Sequence, residues 1–274
     1  MLFNCQSLLV GISLISQALS APILESRATA DASAFPDLHR AAQLSSAAYS
    51  GCRGNAFDVT ITKRIDHLLT GTDGFIGYST EKKKISVIMR GSTSIVDILN
   101  DIDIHLVTPS LSGVTFPSDV QIMRGINRPW SAVHDTVIAE VKSLIAKYPD
   151  YTLEAIGHSL GGALTSIAHN SPAMLLLLFP IGNEAWANFA GSQPGTFNRG
   201  NNVLDGVPNM YSSGLVNFKH YGTEYYSSGS EASCVKCEGQ RDRACSAGNG
   251  MYAVTIGHFS SFGITMLTAG CGGL

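Results

Sequence analysis

The pentapeptide Gly157-His158-Ser159-Leu160-Gly161 constrains this 274-residue chain more than any other stretch. It reads G-x-S-x-G. A run of near-alternating apolar and polar residues, 151–156, precedes it, and a good helix-forming run, 160–168, follows. Strand, tight turn and helix in that order make a nucleophile elbow. The serine then takes a strained backbone conformation, and the flanking glycines leave room because they carry no Cβ. The helix N–H groups face developing negative charge. A chance Gly/Ser turn is the bland alternative, and the strand and helix patterns on either side argue against it.

The elements around the elbow alternate in type. A helix is expected over 37–49, and strands over 59–62, 74–78 and 85–89. Apolar residues at three- and four-residue steps from Trp130 to Tyr148 predict a long helix, ended by Pro149. Residues 174–179 read as a short strand buried on both faces. The segment 218–222 also reads as a strand, and the residues after His258 as a turn opening a late apolar helix. No repeat or linker divides the chain. The order predicts an α/β fold: a central, mostly parallel sheet flanked by helices in a single domain, with ligands at the carboxyl ends of the strands.

Composition narrows the partners. Hydrophobic residues make up 45% and charged residues 14%, with a net charge of −3 and no basic run. Nucleic acid is therefore excluded as a partner, and so is strong attraction to an anionic membrane. Residues 8–15 form an apolar core of signal-peptide length, and Ala18 and Ser20 supply small residues for cleavage, so residues 1–20 read as a signal peptide. No later segment reaches about 18 apolar residues, so no integral membrane segment is expected. Residues 21–34 read as a disordered lead-in or pro-segment, and 35–274 as the folded domain.

Secretion permits disulfides. Beyond the signal the chain holds Cys52, Cys234, Cys237, Cys245 and Cys271, an odd number. A Cys52–Cys271 pair would pin both ends of the domain, and Cys237–Cys245 would close a small loop, leaving Cys234 over. Sequence alone leaves the pairing open. The C-x-x-C spacing of Cys234 and Cys237 has no second ligand pair and no redox-type strand–helix unit beside it, so no metal is expected.

A serine hydroxyl needs a base, normally a histidine oriented by a carboxylate. On an elbow of this type the chain order is Ser, then Asp or Glu, then His. His169 shares the elbow helix and should point away. His220 reads as a half-exposed strand residue. His258 stands in a loop, the right place for a mobile base. Among the acids between Ser159 and His258, Asp205 ends an apolar strand and enters a Gly/Pro turn. An ordinary Asp-Gly turn competes equally with that role on spacing alone. Glu238 and Asp242 sit in a polar loop that reads as exposed. Two N–H donors must hold the oxyanion. Leu160 follows the nucleophile, and the turn Arg90-Gly91-Ser92 follows the strand at 85–89.

Together these residues resemble the class 3 fungal lipases, a secreted α/β-hydrolase family. The likeness runs from about Phe35 to the C-terminus. It is carried by Met89-Arg90-Gly91-Ser92, the elbow through Ala163, Gly182-Asn183-Glu184-Ala185-Trp186, Leu204-Asp205-Gly206-Val207-Pro208, and His258 with Phe262-Gly263. The resemblance implies Ser159, Asp205 and His258 as a catalytic triad, and Ser92 with Leu160 as the oxyanion hole. It implies a long-range bridge between the terminal cysteines. Phe179-Pro180-Ile181-Gly182-Asn183 is similar to the branch acting on mono- and diacylglycerols. The interval from Ser159 to Pro180 is shorter than in such lipases, with Ser171-Pro172 cutting the elbow helix short.

The resemblance also places a lid after the oxyanion turn. There Ile95, Val96, Ile98, Leu99 and Ile102 give one apolar face, opposite Asp97, Asn100, Asp101 and Asp103. A fixed surface helix with that face in the core is the alternative. The expected activity is a secreted serine carboxylester hydrolase, an acylglycerol lipase working at a lipid–water interface without cofactor. Two other functions fit less well: an esterase for feruloyl-type esters, against which the apolar lid speaks, and a non-catalytic secreted binding protein, which would not need all three triad candidates. Oligomeric state leaves no mark in the sequence.

Overall fold

The computed structural model describes residues 28–94, 102–168, 173–214 and 216–272, with backbone alone at 173–175. The expected signal peptide, His169, and the lid residues Ile95, Val96, Ile98 and Leu99 lie outside them.

Among the described residues one large sheet dominates. Its strands are β1 (Thr29–Ala30), β2 (Asn55–Ala56), β3 (Val59–His67), β4 (Thr72–Ser79), β5 (Lys84–Met89), β6 (Thr152–His158), β7 (Ala173–Leu176), β8 (Phe197–Asn202), β9 (Thr223–Ser227) and β10 (Val235–Lys236). They lie in the order β1-β10-β9-β8-β7-β6-β5-β4-β3-β2. The five central strands, β9 to β5 in that order, pair in parallel. Both wings are antiparallel, so the sheet is mixed with a parallel centre. Because β1 pairs with β10, the segment read as a lead-in joins the sheet before residue 35.

Alternation along the strands gives the sheet two apolar faces. Ile85, Val87 and Met89 of β5 enter one core with Trp130, Phe179 and Trp186. Ile88, one step out of phase, enters the other with Leu38, Leu44, Phe75 and Phe262. Helix α1 (Phe35–Tyr49) covers the second face, with Pro36 in its first turn and a stripe of buried alanines that lets it lie close to the strands. Helices α2 (Arg124–Lys147), α3 (Leu160–Thr165) and α4 (Glu184–Gly191) cover the first.

Four local expectations are corrected. Helix α2 begins six residues before Trp130 and takes Pro129 inside. The carbonyls of His105 and Asp103 accept from the N–H groups of Arg124 and Gly125, and Ile126 is buried, so tertiary anchoring outweighs one lost helical bond. Residues 218–222 are coil, and the strand starts at Thr223. The late helix after His258 is instead a hairpin, Ser260–Ser261 against Ile264–Thr265. Phe262 and Gly263 both take positive φ, 46° and 82°, as a two-residue hairpin turn requires. Asp242 is buried rather than exposed, accepting from the Glu238 and Ala244 N–H groups.

The short interval after the nucleophile appears as a six-residue α3, ending at Thr165. Where it stops, Ile167 and Ala168 edge an apolar cavity of about 260 Å³ that lies against α2 and the sheet. Disulfides join Cys52 to Cys271, 219 residues apart, and Cys237 to Cys245. Cys234 is a buried free thiol, and burial pushes its pKa up to about 11. No helix among the described residues is long and apolar enough to cross a membrane.

Candidate active site

The residues singled out from sequence lie at the carboxyl ends of the central strands. Ser159 follows β6, the turn through Ser92 follows β5, and Asp205 follows β8. His258 arrives from the long C-terminal stretch on a single 3₁₀ turn, Ile256–Phe259.

Ser159 has φ 58° and ψ −126°, a conformation that a side chain strains to adopt. Its N–H donates to Leu176 O at 2.9 Å, and its carbonyl accepts from Ala163 N–H at 3.0 Å, so sheet and helix both hold the strained residue. Glycines make the turn possible. A Cβ at Gly157 would strike the Gly161 backbone, and one at Gly161 would strike the Met89 carbonyl. A Cβ at Gly91 would meet the His158 carbonyl and the Ser159 Cβ, which shows how closely the Arg90–Ser92 turn is pressed against the nucleophile. That turn is tied back by Arg90 N–H to Asp73 O at 2.8 Å. Ser92 is buried, and its Oγ accepts from Ser94 N–H at 3.1 Å.

Asp205 and His258 meet across two loops. His258 Nδ1 lies 3.1 Å from Asp205 Oδ2, with both side chains fully buried. The other carboxylate oxygen accepts from Val207 N–H at 2.9 Å. Donation from Nδ1–H to a carboxylate leaves Nε2 with its lone pair. His258 Nε2 and Ser159 Oγ are both buried, and neither has a hydrogen-bond partner among the described residues. No hydrogen bond joins them in this state, as is common before substrate binds.

Side chains outside the expected set hold the two loops together. Asn249 donates to the carbonyls of Asp205 (2.8 Å) and Asn202 (3.2 Å), and Asn202 donates to Gly257 O at 3.2 Å. Gly257 itself presses on the backbone of Val203, Leu204 and Asp205, where no Cβ would fit. His220 is buried, not half-exposed, and its Nε2 meets Pro208 O at 2.7 Å just beyond Asp205. Burial, with Arg199 nearby, pushes its pKa well down and keeps it neutral.

His158, the variable residue of the pentapeptide, also acts beyond its local motif. Its Nε2 lies 3.1 Å from the His258 carbonyl, which can only accept, so Nε2 carries the proton. Its Nδ1 then accepts from the Tyr49 hydroxyl at 2.8 Å, and the Tyr49 oxygen accepts from the Gly91 N–H. One chain of hydrogen bonds thus runs from Gly91, in the turn after β5, through Tyr49 at the end of α1 and His158 in the elbow to the His258 carbonyl. Burial first, and the neighbouring His258 second, hold the His158 pKa well below its ordinary value. Sequence offered one faint signal for this pair: an aromatic hydroxyl closing the first helix, and a ring nitrogen beside the nucleophile. Ile102, the described member of the apolar lid set, is half-buried against the core.

Cys237 is bonded to Cys245, so the C-x-x-C spacing does not mark a thiol pair. Glu224 lies near the same sulfurs, but these are bonded to each other and offer no thiolate.

Comparison with known proteins places the chain in a family. The family described as Lipase (class 3) matches residues 86–174, from β5 through the elbow. The chain is 78% identical to a secreted alkaline triacylglycerol lipase of Penicillium cyclopium, over 99% of both chains. It is 28% identical to a secreted mono- and diacylglycerol lipase A of the same organism, over 59% of this chain and 53% of that one. The crystal structure of a triacylglycerol lipase from Penicillium expansum superposes with a TM-score of 0.88 at 75% identity, covering 90% of this chain and all of that one. With such agreement along almost its whole length, the chain belongs to the class 3 lipases and is a serine hydrolase of carboxylic esters.

Proposed function

We propose that this protein is a secreted triacylglycerol lipase in which Ser159 is the nucleophile, His258 the base and Asp205 its orienting carboxylate. The observation that carries the assignment is the buried Asp205–His258 contact, together with a strained, buried serine whose hydroxyl has no hydrogen-bond partner among the described residues. Ser159 Oγ attacks the ester carbonyl as His258 Nε2 takes its proton. The imidazolium then protonates the departing glycerol oxygen. Asp205 keeps the proton on Nδ1 and stabilises the charged ring. The N–H groups of Ser92 and Leu160 hold the tetrahedral oxyanion, each contributing roughly 3–4 kcal/mol. Water releases the fatty acid from the acyl-enzyme by the same proton path in reverse.

The triacylglycerol preference is supported by the 78% relative, against 28% for the mono- and diacylglycerol lipase. Rates on purified mono-, di- and triacylglycerol, with methyl ferulate as a control, test the preference. Ser159→Ala should lower turnover by at least about 10⁴-fold in a protein that still folds. A fluorophosphonate should label the unsubstituted chain and not the variant. Turnover by the variant near that of the unsubstituted protein would remove Ser159 from the mechanism.

A further inference from the structure

The large apolar side chains that this protein leaves in solvent are grouped at one edge. Of the seven exposed among the described residues, five belong to loops at the carboxyl end of the central strands: Leu68, Leu69, Leu204, Tyr252 and Ile256. Single exposed hydrophobics are ordinary on any protein. Five at one edge of the sheet point to an interaction surface.

The positions follow from register. Leu68 and Leu69 form the tip between β3 and β4, just past the His67↔Thr72 pair. Gly74 of β4 pairs with Met89, and Met89 pairs with Gly157, two residues before Ser159. The tip therefore emerges at the sheet edge that bears the nucleophile. Leu204 adjoins Asp205, and Ile256 lies two residues before His258. Tyr252 stands between Met251 and Ala253, which abut Gly206. In the sheet, β3 and β4 lie on one side of β6 and β8 on the other, so the two apolar groups flank the site.

The tip is the more telling group. Leu68 is 89% and Leu69 93% exposed, so two consecutive leucines stand almost wholly in water. The turn beneath them is stiff. His67 Nδ1 meets Thr70 Oγ1 at 2.9 Å, Thr70 Oγ1 meets Thr72 Oγ1 at 2.8 Å, and Gly71 takes φ +63°. A preordered tip loses little entropy when it docks. Two arginines nearby are paired, Arg64 with Asp73 at 3.0 Å and Arg124 with Asp103 at 2.6 Å. With a net charge of −3 as well, attraction to anionic headgroups has little to work with. The surface fits an uncharged apolar partner.

We propose that the Leu68–Leu69 tip is a lipid-inserting anchor. Together with Leu204, Tyr252 and Ile256 across the site, it seats the catalytic edge on an electrically neutral lipid–water interface. The choice of a lipid surface over a protein partner rests on the lipase reading above, which puts a water-insoluble substrate at this edge.

Binding is measured apart from catalysis by flotation of Ser159→Ala protein with triolein droplets coated in phosphatidylcholine. The same protein carrying Leu68→Ser and Leu69→Ser should partition at least about tenfold less, and molar salt should leave the parent's binding nearly unchanged. In the active protein, the two serine substitutions should spare hydrolysis of a dissolved short-chain nitrophenyl ester and slow that of emulsified triolein at least about fivefold. Replacing both leucines with Trp should restore flotation. Equal flotation of the two proteins, no flotation of the parent, or an equal loss on the dissolved ester would each overturn the anchor. Failure of the unsubstituted chain on both esters would overturn the lipase reading instead, and flotation would still decide the anchor.

Discussion

The nucleophile elbow occupies five consecutive residues at the centre of the sheet, whereas Asp205 and His258 stand 53 residues apart and meet between loops. Regular structure holds the first: Ser159 is bonded through its backbone to β7 and α3, and glycines allow the strands and helix to touch. Side-chain amides and a close backbone contact hold the second, through Asn249, Asn202 and Gly257. Damage to the elbow's backbone packing should therefore appear as lost fold, and damage to the loop pair as lost rate.

The largest expected effect is at Gly161. An added Cβ meets the Met89 carbonyl in the middle of the sheet, so Gly161→Ala should lower stability by several kcal/mol, measured as a shift of the denaturation midpoint or as failure to accumulate soluble protein. An alanine variant as stable as the parent would break the contrast. Next is Asn249→Ala, which frees the Asp205 and Asn202 carbonyls and the Tyr226 hydroxyl without touching the side chain of Asp205 or His258. We expect kcat to fall about 10- to 100-fold, with a stability loss of about 1–2 kcal/mol. Steady-state kinetics and thermal melts separate the two. A melt shift with unchanged kcat would show that the loop geometry is over-determined.

The smallest effect concerns acid. Each region contains a buried neutral histidine, His158 in the elbow and His220 beside the Asp205 loop, and burial depresses both pKa values. Below about pH 6.5 the unfolded chain binds protons that the folded chain refuses, so stability falls as pH drops through that value. Each histidine should contribute a slope of about 1.4 kcal/mol per pH unit. His220→Gln should halve the combined slope, read from urea midpoints across the acid range. An unchanged slope would remove His220 from the account.

Legibility in the sequence followed the same division. The elbow could be read directly, because its geometry depends on residues within one turn of each other. Strands β3, β4 and β5 were also visible: β3 mixes buried and exposed positions, and β4 and β5 carry short apolar runs buried on both faces. Strand β8 was not. Phe197-Asn198-Arg199-Gly200-Asn201-Asn202 is mostly polar yet entirely buried, and distant groups supply partners to it: Glu224 to Arg199, Ser246 to Asn201 and the Gly257 carbonyl to Asn202. A hydrophobic pattern cannot announce a strand whose burial is compensated by hydrogen bonds from elsewhere. His258 stood out by its loop position, whereas Asp205 competed equally with an ordinary turn residue on spacing and stood out only through family likeness.

Read alone, the amino-acid order settled the elbow, the alternation of strands and helices, and the choice of serine chemistry. These depend on backbone preferences and on residues near one another along the chain. Folding in three dimensions settled which cysteines pair, the neutral states of His158 and His220, and the path from Tyr49 to the His258 carbonyl. It also brought one leucine turn to the edge that carries the serine. Each of these depends on distances between groups far apart in the chain, and such distances exist only once the sheet has closed its register.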